Sequence, residues 1–182
     1  MAPTTKSHTL EWLAVGDAKK LSHLDEEGRV RMVDVGDKPV TARRAVAEGR
    51  VRVSDDLLAA IRDQRVPKGN LLEVARVAGI QAAKGTDRLI PLCHSLPLDV
   101  VSIDLELGSG DIRIRAEVRT TARTGVEMEA LTAVTVAALT VIDMGKAIDR
   151  TMVIEQVRLL EKSGGRSGDF RASDPSPPTE PE

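Results

Sequence analysis

The chain has 182 residues, 41% of them hydrophobic, and a formal net charge of −2 from 26 Lys and Arg against 28 Asp and Glu. That suits one compact soluble domain with tails, and it argues against duplex DNA as the main partner, which needs a basic face. A single cysteine, Cys93, and three histidines, His8, His23 and His94, exclude an internal disulfide and a multi-cysteine metal site and leave little to build a histidine metal centre.

Trp12 and Phe170 are the only aromatic residues besides histidine, and there is no tyrosine. The core must be aliphatic, and the central region has no stacking platform for single-stranded nucleic acid. The first residues have no apolar stretch of the secretory type. No apolar run reaches the roughly 20 residues of a membrane span. With the lone cysteine, this composition predicts a reducing, cytoplasmic compartment.

Residues 1–24 read as an N-terminal extension without sustained periodicity. Residues 30–35 read as a short strand between Gly28 and Gly36. Residues 40–53 predict a strand, or a strand and a turn, interrupted by Gly49. Ser54 before Asp55 and Asp56 is a helix N-cap with acids in the first turn, which predicts a helix to about Gln64. After the loop Pro67-Lys68-Gly69, Asn70 caps a second helix with the stripe Leu71, Val74, Ala75, Ala78 and Ala82, stopped by Gly85.

Val101, Ile103, Leu105 and Leu107 alternate with polar residues, as do Ile112, Ile114, Ala116 and Val118 after Gly108-Ser109-Gly110. This predicts an antiparallel hairpin with acids facing arginines. Residues 125–150, rich in Ala, Leu, Val and Met, predict one long buried helix. Residues 152–160 predict a last strand. The segment from residue 164 is rich in Gly, Ser and Pro, and its end is expected to be disordered. The order predicts an α+β domain with helices packed on one face of a mostly antiparallel sheet.

Asp143 and Lys146, three apart, share a face of the long helix. A surface salt bridge is the ordinary meaning of such a pair. At the end of so apolar a helix the pair is expected to line a pocket, where burial would make Lys146 a usable acid or base. Glu127 and Glu129 suit the other, N-terminal end. Glu129 and Asp143 are 14 positions apart, about 21 Å along a straight helix at ~1.5 Å per residue. One small substrate does not reach both ends within a chain, so either the ends serve different tasks or neighbouring subunits combine them.

Cys93 and His94 are neighbours in a proline-bounded, extended stretch and point opposite ways, which is poor geometry for a nucleophile pair. His94 fits a hydrogen-bond or phosphate partner better. Lys68, Lys84, Lys162 and Arg166 lie beside or near glycines, where a cation and backbone N–H groups can meet an anion. No Walker loop or dinucleotide fingerprint is present. These features predict an enzyme acting on a phosphorylated small molecule.

At these residues the chain resembles the cyclic pyranopterin monophosphate synthase (MoaC) family of molybdenum cofactor biosynthesis. The matching strings are Met32-Val33-Asp34-Val35, Ala78 to Lys84, Leu89 to His94, Thr124 to Thr132, Asp143-Met144 with Lys146-Ala147, and Arg158-Leu159-Leu160 with Lys162 to Phe170. The resemblance implies a ferredoxin-like fold over a catalytic domain at residues 25–163. It implies a homohexamer, a trimer of dimers with sites at subunit interfaces. The implied reaction turns (8S)-3′,8-cyclo-7,8-dihydroguanosine 5′-triphosphate into cyclic pyranopterin monophosphate and pyrophosphate, with no cofactor or metal in the chain and with neither nucleic acid nor membrane as partner.

Position by position, the resemblance makes Asp143, Lys146 and Lys68 catalytic. Leu92, Cys93 and His94 form one substrate-binding segment, and Met128 and Glu129 the other. Arg43, Lys84 and Lys162 fall at basic pocket positions. A triphosphate calls for such cations. Three features depart from the family pattern: Gly145 where many relatives have Cys, Arg123 where many have Lys, and a longer N-terminal stretch. A non-catalytic nucleotide or RNA module and a structural subunit are the alternatives. Missing aromatics oppose RNA binding, and the retained Asp143, Lys68 and Lys146 oppose a structural role.

Overall fold

The computed structural model describes residues 23, 27–166 and 168–173. The chain divides into two compact units, residues 1–33 and 34–182. In the first, Val30 forms an isolated bridge, and Arg31 N donates to the His23 carbonyl at 2.9 Å. The strand expected at residues 30–35 does not form: Val30 and Met32 stay exposed, with no ladder to bury them.

The second unit runs β1 (Thr41–Arg52), α1 (Asp55–Arg62), α2 (Leu71–Lys84), α3 (Thr86–Leu89), β2 (Val100–Leu107), β3 (Asp111–Ala122), α4 (Glu127–Gly145), β4 (Val153–Ser163) and β5 (Phe170–Arg171). One antiparallel sheet has the order β2-β3-β1-β4-β5. Helices α2 and α4 pack together on one face, α4 against β1, β3 and β4, α2 against β2. This is the α+β arrangement that the sequence pattern predicts and the ferredoxin-like fold that the resemblance implies.

β1 is the central strand, paired with β3 from Thr41↔Ala122 to Arg52↔Asp111 and with β4 from Arg44↔Ser163 to Arg52↔Val153. Gly49 does not interrupt it. A Cβ there would lie 2.8 Å from Val134 Cγ1 and 3.0 Å from Val157 Cγ2, so glycine is what lets α4 sit down on the sheet. The β1–β4 register shifts beside it, between Val46 and Ala47 and between Glu48 and Arg50. The inner sheet face presents Ala45, Ala47, Val51, Ile103, Ile112, Ile114, Ala116 and Val118 to Ala133, Val134, Ala137, Ala138 and Val141 of α4.

The β2–β3 register sets Asp104 opposite Arg115 and Glu106 opposite Arg113, while the ion pairs of the outer face run from β1 to β3 and β4. Arg44 on β1 binds Glu117 on β3 at 2.7 Å and Glu161 on β4 at 2.8 Å. Arg158 binds Glu48 at 2.7 Å. The hydrogen bond from Arg44 holds the Glu117 carboxyl below its usual range. Half-exposed pairs of this kind are each worth ~0–1 kcal/mol, so they set register more than they hold the fold.

Both predicted caps form: Leu57 N donates to Ser54 Oγ at 3.3 Å and Glu73 N to Asn70 Oδ1 at 3.2 Å. α1 stops at Arg62, and Gln64 follows with a left-handed φ of 55°. The stripe of α2 is displaced from its expected line. Val74 is 43% exposed, and Gly79 is buried instead. A Cβ on Gly79 would lie 2.9 Å from the Ala133 carbonyl oxygen and overlap Ile103 Cδ1. The helix pair needs that glycine to approach.

Four further differences concern element ends, a late strand and the character of α4. Leu89 ends the short α3 in place of beginning an extended segment, and α4 ends at Gly145, five residues early. Lys162 and Glu161 of β4 pair with Phe170 and Arg171 of β5, a strand without an apolar alternation to announce it. α4 is, contrary to expectation, long and apolar enough to cross a membrane by length and composition. It is the core helix, half buried between the sheet and α2. Residues 1–22 and 174–182, for which an irregular extension and a disordered end are expected, lie outside the described residues.

Gly79→Ala tests the helix contact. Helix propensity alone favours alanine by about 1 kcal/mol. The steric conflict with a backbone carbonyl outweighs it, and a net loss of about 1–3 kcal/mol is expected in urea unfolding. An unchanged or higher midpoint would contradict the close packing.

Candidate active site

The C-terminal end of α4 carries the first cluster. Asp143 Oδ2 lies 2.7 Å from Lys68 Nζ and Oδ1 lies 2.7 Å from Lys146 Nζ. Lys68 Nζ also donates to the Asp143 carbonyl at 2.8 Å. Lys146 is the C-cap of α4, where the helix dipole favours a cation. Lys68 arrives from the turn between α1 and α2, closed by Gly69 N donating to the Val66 carbonyl at 3.0 Å. That turn needs Gly69, whose φ is +97°.

Hydrogen bonds from Lys146 and Lys68 hold the Asp143 carboxyl at about 2, against an ordinary 3.8. Asp143 is therefore an anion at any working pH. It pairs with both ammonium groups at 2.7 Å. The burial expected for Lys146 is not supplied within one chain: its side chain is 59% exposed and that of Asp143 56%. The reason is that α4 ends at Gly145, so Lys146 projects past the packed part of the helix. A cavity of about 430 Å³ opens beside the cluster, lined by Lys68, Ile142, Lys146, Ala147, Asp149, Arg150 and Met152.

The N-terminal end of α4 carries a second cluster. Glu129 is 5% exposed, and burial, with Glu127 and Asp87 adding repulsion, pushes its carboxyl from 4.5 to about 7. Cys93 lies near it: burial raises the thiol, and the charges of Glu129 and Asp87 raise it further. Cys93 and Glu129 thus lie within electrostatic reach of each other. α3 makes this possible. Its Asp87 accepts from Ser95 Oγ, and Cys93 N donates to the Ile90 carbonyl at 3.1 Å, which folds the segment back.

Glu127, at the start of α4, lines a cavity of about 790 Å³ together with Lys38, Arg43, Arg44, Arg123, Lys162 and Arg166. Lys162 binds Glu127 at 3.1 Å. Arg43 donates to the Gly164 carbonyl at 3.2 Å and the Arg123 carbonyl at 3.3 Å, while its Nε is buried without a partner. Gly164 and Gly165 have positive φ, and a Cβ on either would run into the Ala42 carbonyl or the Arg43 guanidinium. The glycine pair shapes the loop around Arg43. A cavity so rich in cations suits a polyanion.

Of the residues singled out from sequence, the structure joins Asp143, Lys146 and Lys68 at one end. At the other end of α4, Arg43 and Lys162 line one cavity with Glu127, Cys93 is within electrostatic reach of Glu129, Met128 is exposed next to Glu129, and Leu92 and His94 flank Cys93. Lys84 is exposed at the end of α2 and belongs to neither cavity lining. Lys38 and Arg44 were not legible as cavity residues. Only the β1–β4 pairing brings β1 to the glycine loop, and nothing local signals it. Among the described residues, no three His, Cys, Asp or Glu side chains are grouped as metal ligands.

The MoaC family profile matches residues 32–165. A cyclic pyranopterin monophosphate synthase of Thermomicrobium roseum is 57% identical over 157 residues, 85% of this chain and 95% of the relative. Synthases of the same name from Nocardioides sp. and Chloroflexus aurantiacus are 57% and 58% identical, each covering 84% of this chain and 95% or 94% of the relative. The strings that match the family include both ends of α4, where the two clusters lie. On this profile match and these identities, the chain belongs to the MoaC family.

Proposed function

We propose that this chain is a lyase of molybdenum cofactor biosynthesis. It converts (8S)-3′,8-cyclo-7,8-dihydroguanosine 5′-triphosphate to cyclic pyranopterin monophosphate and pyrophosphate. The observation that carries the reading is the Asp143 carboxylate bound at 2.7 Å by both Lys68 and Lys146. These are the three residues that the family resemblance makes catalytic. The catalytic domain spans residues 25–163, and the enzyme is cytoplasmic, in keeping with its lone thiol.

The chemistry divides between the two ends of α4. Arg43, Lys162 and their neighbours hold the triphosphate, whose charges they offset. Leu92, Cys93, His94, Met128 and Glu129 hold the nucleoside part, and Lys84 contributes from the end of α2. Asp143 fixes Lys68 and Lys146, which donate and accept protons as rings open and close. Glu129, with its carboxyl at about 7, is a third proton carrier. The two clusters are about 21 Å apart on one helix at ~1.5 Å per residue. The complete site therefore combines one chain's Asp143 end with another chain's Glu129 end, in a homohexamer built as a trimer of dimers.

Incubation with the cyclic dihydroguanosine triphosphate is expected to release pyrophosphate and a pterin; no turnover by a folded oligomer would reject the enzyme reading. Lys146→Ala is expected to keep the oligomer and lose turnover by about 100-fold or more, whereas near-normal turnover removes Lys146 from its role.

Mixed oligomers test the shared site. Lys146→Ala and Glu129→Ala chains are each expected to be inactive, but co-assembled one to one they regain roughly a quarter of the sites intact. Mixed oligomers as inactive as their parents would place the whole site within one chain.

The Glu129 proton has a stability consequence with a definite sign. The folded chain binds it up to about pH 7 and the unfolded chain only to about 4.5, so wild-type stability falls as pH rises through that window. Glu129→Gln lacks this loss and gains on wild type from pH 5 to pH 8, by on the order of 3 kcal/mol in urea unfolding. A difference independent of pH would show that Glu129 is ionised throughout.

A further inference from the structure

The turn after α4 contains a buried carboxylate that the proposed chemistry does not use. Asp149 is 5% exposed and lies on the wall of the cavity beside Lys68 and Lys146. Its oxygens are fully engaged by the protein. Oδ2 accepts from Ser54 N at 2.7 Å, and Oδ1 accepts from Thr151 N and Thr151 Oγ1, both at 2.8 Å. Burial pushes this carboxyl up, but the bonds from Thr151 and Ser54 outweigh it and hold it below its ordinary value.

The two ends of this clamp lead to the two lysines. On one side, Ile148 N and Asp149 N both donate to the Gly145 carbonyl, at 2.9 and 3.0 Å, which closes the turn that presents Lys146. On the other, Ser54 is the N-cap of α1, and α1 leads directly into the turn that presents Lys68. Leu57 of α1 fills the space beside Gly145, where a Cβ would lie 2.8 Å from its Cδ2. The Asp149–Ser54 bond thus ties the segment carrying Lys68 to the segment carrying Lys146. The lysines meet on Asp143, which is itself exposed and cannot lock either segment alone.

We infer that Asp149 is a positioning residue, which through Ser54 and Thr151 sets the Lys68–Asp143–Lys146 geometry for turnover. It touches no substrate. The inference rests on the catalytic reading above for its kinetic consequence. A misplacement of about 1 Å in such a constellation can cost about 100-fold in rate, whereas the triphosphate-binding cations at the far end of α4 are untouched.

Asp149→Asn keeps the size but replaces one acceptor oxygen with a donor. The expected result is kcat lower by about 10- to 100-fold with KM within about threefold of wild type, at a temperature where unfolding curves show the variant folded. A kcat within about twofold of wild type overturns the inference, and so does a loss that only tracks the unfolded fraction. Should Asp149→Asn not fold, Thr151→Val removes one donor and leaves both backbone bonds. It is expected to lower kcat by about threefold at unchanged KM, and an unchanged kcat there overturns the inference.

A second readout does not depend on turnover. Reductive methylation of Lys68 and Lys146, followed by mass spectrometry, is expected to run at least about threefold faster in Asp149→Asn, because the amines lose their hold on Asp143. Equal rates overturn the positioning role. If wild type has no turnover, the catalytic reading fails by itself and the labelling rates still decide whether Asp149 sets the lysine geometry.

Discussion

Everything in the second unit depends on how closely α4 lies on the sheet. With no aromatic side chain among the buried residues, the space between helix and strands is filled by Ala, Val and Ile. Such a layer is thin, so backbone must approach backbone. Gly49 admits Val134 from α4, and Gly79 lets α2 reach the Ala133 carbonyl. The same constraint makes α4 apolar nearly all round, since the sheet covers one side and α2 another. A long, rigid, apolar helix then fixes its polar ends far apart. The separation of the two clusters is a result of packing before it is a feature of catalysis.

The ends of α4 place their carboxylates in opposite electrical settings. Asp143 projects past the packed helix, exposed and gripped by two ammonium groups, and its proton is lost at about 2. Glu129 is shut in with Glu127 and Asp87 nearby, and it keeps its proton to about 7. Desolvation dominates one and direct ion pairing the other. Lys162 pairs with Glu127, two residues before Glu129, at 3.1 Å.

Local chemistry was the legible part. The caps at Ser54 and Asn70, the β2–β3 alternation and the long apolar helix each follow from residues within a turn or a hairpin. The Asp143–Lys146 pair was legible for the same reason, since helical spacing puts both on one face. What was not legible depends on partners far along the chain. The apparent strand at residues 30–35 lacks a ladder, Val74 is displaced by Gly79 from the core stripe, and β5 has only a pairing with β4 to define it. Lys38 and Arg44 enter the cationic cavity through strand register, which no local pattern encodes. Lys146 lines a cavity as the helix pattern indicates, yet its side chain is 59% exposed within one chain.

Gly145 shows how such a packing contact bears on the chemistry. Many relatives carry a thiol at this position, one residue before Lys146. Here the missing side chain leaves room that Leu57 and Met152 occupy: a Cβ would meet Leu57 Cδ2 at 2.8 Å and Met152 Cε at 3.3 Å. The position thus faces the packing of α1 against the helix end, and Met152 carries that packing to the wall of the cavity beside Lys68 and Lys146. Glycine costs about 1 kcal/mol of helix propensity. In return Leu57, fully buried, approaches the end of α4 without conflict. That contact seats α1, and with α1 the turn that carries Lys68, against the end of α4 that carries Asp143 and Lys146.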